Sequence, residues 1–578
     1  MTMKGQRLFA ALKESSGMER RLKGFLEQKD KRMLRRYSFC SVAALFFDLF
    51  SLSMILPLLN EMAMGEAVDS LPFQLVILGL IFLGKGGMEL LRLWSFDSFT
   101  EDAVQRWSVK IYRLFCEESV EEHNQTTTMQ KVTAVRKDTE TCADMLASFI
   151  TLRLKGAILV YFFLAAIYTG HGEACILGGC LLVLAIRIYW YNRGRILEYG
   201  EQKRQREIRE SAMVSMAHES YKEIKIDSRA ETLIEKYDVI SKEYAEIHKK
   251  YVRMLVISRV VVSNIVQVVV LLAAAVLIMA GVNQQSLILN LIGALTFIVY
   301  IIPQANMFLL AYNTVQYGRK SYDAFCQNMR KYERMQQKKC ERAMLRIKEV
   351  GFTRGLRIDH LTFHYPDGPD ILKDVSLEIP AGSSVAIVGK SGAGKTTFLD
   401  LVLGLLEPQS GHIWYDDYDL TEGRDEQGSC CGDMGQIISY IPQMVYLSDD
   451  TICNNVVFME HKEDRKKVVD CLKIAEIWED IQMLPEGIDT ILGENGFTLS
   501  MGQRQRIILA RALYKGSKLL VMDEMTAALD RETEREVMRS LKNLKERRTL
   551  LLVTHHEWLA EECDRIYRLE EQSLVRVR

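Results

Sequence analysis

The chain has 578 residues, too many for a single hydrophobic core, and therefore predicts at least two domains. Its 74 Lys and Arg residues balance 75 Asp and Glu residues, and the net charge of −1 gives no indication of a nucleic-acid partner. The twelve cysteines form no CxxC pair, which argues against a zinc site or a disulfide framework and favours reduced thiols.

The N-terminal segment is basic and polar. Residues 1–37 carry 11 Lys and Arg against 4 Asp and Glu, and they contain no apolar run of the signal-peptide type. We therefore expect residues 1–36 to form a cytoplasmic segment.

Long apolar stretches dominate the region from 37 to 320, and a helix needs roughly 20 apolar residues to cross a bilayer. Six stretches qualify as candidate spans: 37–60, 71–95, 147–168, 173–192, 256–281 and 285–318. The three short connections contain no Lys or Arg, whereas the long connections 96–146 and 193–255 are rich in both. Because Lys and Arg collect on the cytoplasmic side, this predicts a six-helix, multi-pass domain of the inner (cytoplasmic) membrane with both termini cytoplasmic. A soluble protein with very long buried helices would not explain the charge asymmetry.

The long connections have few Gly and no Pro in stretches such as 201–244, which favours helices that extend far past the membrane. Residues 321–350 are charged and Gly-poor, and we expect a helical linker there. From residue 351 to 578 the pattern changes to short apolar strands with turn signals, typical of an α/β domain.

The stretch GKSGAGKTT fits the pattern G-x-x-x-x-G-K-[ST] between a predicted strand and a predicted helix. Backbone N–H groups and the helix N-terminus of such a P-loop hold phosphates, its Lys neutralises their oxygens, and its Thr ligates Mg²⁺. This predicts a bound nucleoside triphosphate with Mg²⁺ as its cation. The expected contacts are Gly389, Ser391, Gly392, Gly394, Lys395, Thr396 and Thr397.

Two further motifs follow in the same half. The strand LLVMDE ends in two carboxylates, of which Asp523 suits Mg²⁺ and Glu524 can polarise an attacking water. The sequence LSMGQ precedes a helix whose N-terminus is free to face a phosphate, with Ser500, Gly502 and Gln503 as expected contacts.

This combination of motifs resembles the ATP-binding cassette (ABC) family over essentially all of 351–578. The resemblance implies that Tyr365 stacks on adenine and that Gln443 senses Mg²⁺ and acts with Glu524 in catalysis. It also implies that Asp530 lies near the nucleotide, and that His555, rather than the adjacent His556, contacts the γ-phosphate.

The family signature usually has Gly at the position of Met501, so this chain departs from it. In the family the signature acts on the ATP of a second cassette, which implies a dimer of transporter halves. A homodimer is favoured, and a heterodimer remains open, because an altered signature beside an intact Glu524 also fits a chain that serves a defective partner site.

Six spans fused to one cassette are similar to the exporter type of ABC transporter half. The resemblance places coupling helices at 221–226 and near 119–127. ATP binding would then close the cassettes and switch the membrane cavity from inward-facing to outward-facing, and hydrolysis would reset it.

Residues 29–62 resemble the start of bacterial flippases for lipid-linked oligosaccharides. The predicted spans also carry Lys85, Arg153, Lys155 and Arg187, a basic excess that suits an anionic, amphiphilic lipid. These side chains could instead reach the headgroups or pair with Asp48 and Glu89. Two other functions stay open: export of peptides or drugs, and a cassette-gated pore or sensor without net pumping.

Overall fold

A computed structural model describes residues 16–64, 71–168, 195, 198–279, 302–344, 352–366, 368–421, 434–458, 460, 463–493, 497–525, 529–543 and 548–578. The chain divides into two compact units. The first comprises Met1–Glu118 and Asn124–Gln336, and the second comprises Ser119–His123 and Gln337–Arg578.

The first unit is helical. Up to the third predicted span, its elements are α1 (16–24), α2 (Gln28–Met64), α3 (Leu71–Glu117), α4 (Val120–Asn124, shared with the second unit), α5 (Thr128–Thr133), a π-helical turn (Ala134–Asp138) and α6 (Thr139–Tyr168). The later elements are α7 (198–219), α8 (Tyr221–Ile226), α9 (Ala230–Met279), α10 (302–317) and α11 (Arg319–Met344). The predicted span 173–192 and the first half of 285–318, residues 285–301, lie outside the described residues.

The lengths of these helices explain why the connections between spans are so long. Helices α3 and α9 have 47 and 50 residues, so at about 1.5 Å per residue each is more than twice as long as the roughly 30 Å hydrocarbon core. The predicted helical character of the long connections is confirmed. Among the described residues, one helix, Phe73–Glu117, is long and apolar enough to be a candidate span on its own, and only 6% of its most apolar window is buried in the protein.

An aromatic cluster holds the N-terminal helices to α11. The buried Trp107 ring on α3 lies 4.8 Å from the Phe325 ring on α11, and its indole N–H donates to the carbonyl of Phe25 at 3.3 Å. Phe25 in turn contacts Phe325 edge-on at 5.9 Å. Because buried aromatic residues supply a large apolar area, this cluster fixes the segment before α2 against α3 and α11.

The π-helical turn brings two adjacent charges to α7. Asp138, almost fully buried, accepts from Arg204 at 2.8 Å, and Lys137 pairs with Glu207 one turn further along α7. The hydroxyl of Ser108 on α3 donates to the carbonyl of Val135 at 2.7 Å, inside the π-helical turn. The π-helical turn is therefore held from two sides, by α3 and by α7.

The second unit is an α/β domain with two sheets. A four-stranded antiparallel sheet has the order β2-β1-β4-β5, with β1 (Gly355–His364), β2 (Asp370–Pro380), β4 (Ser410–Tyr415) and β5 (Tyr418–Asp419). A six-stranded sheet has the order β10-β9-β3-β8-β7-β6, with β3 (Ser384–Val388), β6 (Ile438–Ile441), β7 (Leu519–Asp523), β8 (Thr549–Thr554), β9 (Arg565–Glu570) and β10 (Ser573–Arg576). The helices are α12 (Lys395–Val402), α13 (Met434–Ile437), α14 (Ile452–Val457), α15 (Arg465–Ile474), α16 (Trp478–Gln482), a 3₁₀ turn (Gly487–Asp489), α17 (Met501–Lys515), α18 (Arg531–Lys542) and α19 (Glu557–Ala560).

Strands β3, β7 and β8 run parallel, and every residue in them is buried. Apolar residues on both faces are typical of a central parallel strand covered by helices. In the registers Val388↔Thr554 and Asp523↔Val553, the three strands end side by side. The segments that follow them therefore meet at one edge of the sheet, where ligands bind in α/β folds.

The first unit yields a prediction about stability and pH. Asp144 on α6 precedes the predicted third span, and burial, aided by the charges of Glu140 and Glu101, raises the pKa of its carboxyl to about 6. A raised carboxyl pKa means that the folded state loses stability relative to the unfolded state as pH rises through that value. We expect Asp144→Asn to raise the melting temperature in detergent at pH 8 and to raise it clearly less at pH 5, because the cost of ionising the buried carboxyl builds up between its ordinary pKa, about 4, and about 6. An equal shift at both pH values would contradict this account.

Candidate nucleotide-binding site

The phosphate loop connects β3 to α12, and its glycines are required by the geometry. Gly394, the N-terminal cap of α12, has φ 98°, and a Cβ there would lie 2.6 Å from the side chain of Ile371. A Cβ at Gly389 would lie 2.8 Å from the carbonyl oxygen of Leu569. The loop therefore folds tightly around the N-terminus of α12, and Ser391, Gly392 and Thr396 are exposed around it.

Lys395 is the buried positive charge of this loop. Its side chain is 8% exposed, and Nζ donates to the carbonyls of Gly389 at 3.0 Å and Lys390 at 3.1 Å. The carboxylate oxygen Oε1 of Glu524 lies 3.7 Å from Nζ. An ammonium held mainly by neutral carbonyls keeps most of its charge for an anionic ligand.

Glu524 lies where the three strand ends meet. Its Oε2 accepts from the side-chain amide of Gln443 at 2.8 Å, and its Oε1 lies 3.6 Å from Nδ1 of His555 and 3.7 Å from Nζ of Lys395. Its backbone has φ 46°, a left-handed conformation that costs a non-glycine residue about 1–3 kcal/mol. The sequence-predicted residues Glu524, Gln443, His555 and Lys395 are thus brought together around one carboxylate.

Asp523, the residue before it, is almost fully buried at the end of β7. Burial raises the pKa of its carboxyl, and the charge of Glu524 adds to this, while Tyr440 and Lys395 oppose it. A buried carboxylate of this kind is stabilised when a cation reaches it.

The structure separates the two adjacent histidines. Nδ1 of His555 faces Glu524, whereas Nδ1 of His556 lies 3.6 Å from Oε1 of Glu534 on α18. This geometry places His555 beside Glu524 and His556 beside Glu534, and contact of His555 with a γ-phosphate stays a prediction.

Tyr365, just after β1, is 40% exposed. Its hydroxyl lies 3.5 Å from that of Thr397 in the first turn of α12, and Phe363 supports its ring edge-on at 5.1 Å. The ring is therefore available for stacking beside the phosphate loop. Asp530 caps α18 by accepting from the backbone N–H of Thr533, and these hydrogen bonds lower the pKa of its carboxyl.

The signature segment forms a self-capped helix start. Ser500 caps α17 by accepting from the N–H of Gln503 at 3.2 Å, and the Gln503 side chain accepts from the N–H of Ser500 at 3.0 Å. Gln503 also donates to Asp480 at 3.3 Å, and Met501 is 57% exposed at the first position of the helix. In the part of the chain that the structure describes, the hydrogen bonds of these side chains stay within this segment and α16, so it is not brought to Lys395.

Sequence reasoning missed three polar residues behind the site. Tyr440 lies opposite Val521 in the β6–β7 register, on the same face as Asp523, and burial raises its pKa strongly. Burial and the charge of Asp523 raise the pKa of Asp400 on α12 to about 6. Glu534 is the third. The sequence contains Tyr440 three residues before Gln443 and Asp400 five residues after Lys395. Without the strand register, it does not show that both lie near Asp523.

Three comparisons with known proteins agree with this geometry. Residues 372–527 match the ABC transporter family. The chain is 26% identical over 536 residues to the ATP-dependent lipid A-core flippase of Yersinia pestis bv. Antiqua (strain Antiqua), covering 91% of this chain and 89% of that protein. It is 39% identical over 223 residues to the protein of the same description from Burkholderia pseudomallei (strain 1710b), where the match spans 38% of this chain and only 36% of the relative.

Among solved structures, a bacterial Atm1-family ABC exporter with ATP bound has a TM-score of 0.75 at 22% identity, and the match covers 94% of each chain. The fold is therefore that of an ABC exporter, a membrane-spanning helical domain followed by an α/β cassette, as the sequence predicts.

The phosphate loop yields the second prediction. Lys395→Ala removes the buried ammonium, so we expect the Kd for a fluorescent ATP analogue to rise at least about tenfold. Lys390→Ala, which removes a neighbouring exposed lysine of the same loop, is the matched control and should change the Kd little. Equal effects of the two substitutions would show that Lys395 has no special role.

Proposed function

We propose that this chain, whose residues 372–527 form a domain of the ABC transporter family, is one half of a dimeric, ATP-driven exporter or flippase. The observation that carries the proposal is the convergence of Lys395, Gln443 and His555 on Glu524 at the edge of a parallel sheet. A pore or sensor without pumping would not need a carboxylate so arranged for hydrolysis.

ATP binds with its phosphates in the loop 389–397 and its adenine against Tyr365. Glu524 polarises the attacking water, since its carboxylate is fixed by Gln443 and lies at the end of β7. Lys395 holds the β- and γ-phosphates, and His555, which like Lys395 lies near Oε1 of Glu524, contacts the γ-phosphate. These roles are those of a nucleotide site in which positioning and charge supply most of the catalysis.

The residues present also fit Mg²⁺, which prefers oxygen ligands. The hydroxyl of Thr396, the buried carboxylate of Asp523 and the amide oxygen of Gln443 would hold it, because Gln443 uses its amide nitrogen on Glu524 and keeps its oxygen available. When bound, the ion neutralises charge on the phosphates.

One cassette is an incomplete site. Ser500, Gly502 and the N-terminus of α17 act on the nucleotide of a second cassette, with Gln503 and Asp530 at the same interface. A second copy of this chain is the favoured partner. Met501 then lies beside the partner's nucleotide, where its exposed side chain slows closure without removing the anion-binding N–H groups.

The helical domain crosses the inner membrane several times with both termini in the cytoplasm. Helices α4 and α8 act as coupling helices: α8 forms over Tyr221–Ile226 as the sequence predicts, and none of its residues is buried in the chain. Closure of the cassettes is passed through them to switch the cavity between inward- and outward-facing states.

The transported molecule is an amphiphile with an anionic headgroup, such as a phosphorylated lipid or a lipid-linked oligosaccharide. The lipid A-core flippases among the relatives support a lipid substrate. Two of the basic residues in the predicted spans form ion pairs: Lys85 pairs with Asp48 at 2.5 Å and Arg153 pairs with Glu19 at 2.5 Å. Arg187 lies outside the described residues.

A charge cluster remains in the membrane domain. The charges of Asp48, Arg92, Glu89 and Lys85 all act on Lys155. Asp48 pairs with Lys85 and Glu89 with Arg92, so these five charges sum to +1, the excess being equivalent to Lys155. A cluster with a net positive charge inside the membrane domain suits an anionic lipid headgroup.

The third prediction tests turnover and transport together. In proteoliposomes of the purified chain, Glu524→Gln should keep ATP binding, lose at least about 99% of ATP hydrolysis and abolish ATP-dependent lipid translocation, because the water is no longer polarised. Glu532→Gln, a change at an exposed carboxylate of α18, is the control and should behave like the wild type. Hydrolysis without any translocation by the wild type would favour a gated pore or sensor.

The fourth prediction concerns the substrate. Lys155→Gln makes the cluster neutral, so stimulation of the ATPase by a phosphate-headgroup lipid should fall while basal turnover stays. The double variant Asp48→Asn/Lys85→Gln keeps the net charge of +1 and should retain stimulation. Stronger stimulation of the wild type by lipophilic cations, or by peptides, would contradict an anionic substrate.

A further inference from the structure

His556, the second of the two histidines after β8, contacts residues on α18 and α19. Nδ1 of His556 is shielded from solvent and lies 3.6 Å from Oε1 of Glu534, a carboxylate that is only 1% exposed. A buried carboxylate is costly unless a positive or proton-bearing partner approaches it. The distance is just beyond a normal hydrogen bond and within ion-pair range.

The imidazole ring of His556 is fixed on a second side. Trp558 on α19 stacks on it with ring centroids 6.2 Å apart and an interplanar angle of 20°. The guanidinium groups of Arg531 and Arg535, both on α18, lie 6.0 and 5.6 Å from the Trp558 ring. Helix α18 thus contributes both Glu534, which contacts His556, and the two arginines that contact the Trp558 ring.

His556 in turn contacts His555. The two rings meet edge to face, with centroids 4.1 Å apart and an angle of 70°. His555 is about half exposed, and its Nδ1 lies 3.6 Å from Glu524. Because so much of its surface faces solvent, the orientation of this ring depends on the neighbour that it touches.

Glu534 also belongs to the turn that Asp530 caps. Its backbone N–H donates to the carbonyl of Asp530 at 3.0 Å, so the cap and the buried carboxylate move as one turn of α18. The contacts therefore run without a gap from the Asp530 turn through Glu534 and His556 to His555 and Glu524.

We propose that Glu534 and His556 are positioning residues that hold the His555 ring against Glu524 and connect it to the first turn of α18. The inference rests on the proposed ATP hydrolysis, and neither residue contacts the nucleotide itself. The Asp530 turn thereby controls whether His555 is in place for catalysis.

A double-mutant cycle in the full-length chain tests this link. The variants are Glu534→Gln, which keeps the shape of the side chain and removes its charge, His556→Phe, which keeps an aromatic ring and removes Nδ1, and the combination of both. We expect each single variant to lower kcat about tenfold and to leave KM for ATP within about twofold of the wild type. The double variant should be no slower than either single variant, because both break the same link.

A second histidine–carboxylate pair provides the matched control. His412 on β4 contacts the buried Asp419 at 2.7 Å, in the antiparallel sheet. His412→Phe and Asp419→Asn should leave kcat close to that of the wild type. Melting temperatures of all the variants are measured in the same detergent, so that a loss of folded protein is not read as a loss of turnover.

The outcomes separate this inference from the function on which it rests. No ATPase activity in the wild-type chain would refute the proposed function. An active wild type with kcat unchanged in Glu534→Gln or His556→Phe would overturn the positioning role, as would effects that multiply in the double variant. The same loss of kcat in the His412 or Asp419 control would also overturn it, because the effect would then be general.

Discussion

The parallel pairing of β3, β8 and β7 is the constraint on which the rest of the cassette depends. The registers Val388↔Thr554 and Asp523↔Val553 bring three strand ends to one edge. Those strands are far apart in sequence, and their wholly buried apolar side chains stabilise the pairing. A shift of one residue between β3 and β8 would separate the phosphate loop from Glu524 and His555, and a shift between β7 and β8 would separate Glu524 from both the phosphate loop and His555. The apolar residues of the sheet thus determine the geometry of the polar site.

The sequence predicts the parts of this site that are local. A phosphate loop is readable because Gly394 and Lys395 must stand at fixed positions between a strand and a helix. Glu534 could not be found in this way, because its partner His556 is 22 positions further along the chain and the contact exists only after α18 packs beside the segment that follows β8. The helical connections were predictable from composition, whereas the π-helical turn at Ala134–Asp138 was not, since it depends on tertiary contacts from Ser108 and Arg204.

The charged residues of the membrane domain also show that contacts between distant residues cannot be predicted from the sequence. Counting residues along a predicted helix gives the depth of Lys85, but it does not give the neighbour on another helix. The structure pairs Lys85 with Asp48, from α3 to α2, which offsets part of the cost of burying either charge. The proposed recognition of an anionic lipid therefore rests on the net charge of the cluster and not on the number of basic residues. Lys155 on α6 accounts for that net charge, because the four charges around it cancel in pairs.

The signature helix illustrates how a half-site can be stable alone and still serve a partner. Ser500 and Gln503 satisfy each other's backbone N–H groups, so α17 needs no phosphate in order to begin at Met501. A hydroxyl that accepts from an N–H keeps its own proton to donate, and the dipole of α17 still favours an anion at this end. The cap therefore makes the helix N-terminus rigid before the second cassette arrives. In the proposed dimer, binding of the nucleotide at this helix start would order fewer groups, and more of the interaction energy would remain to drive closure.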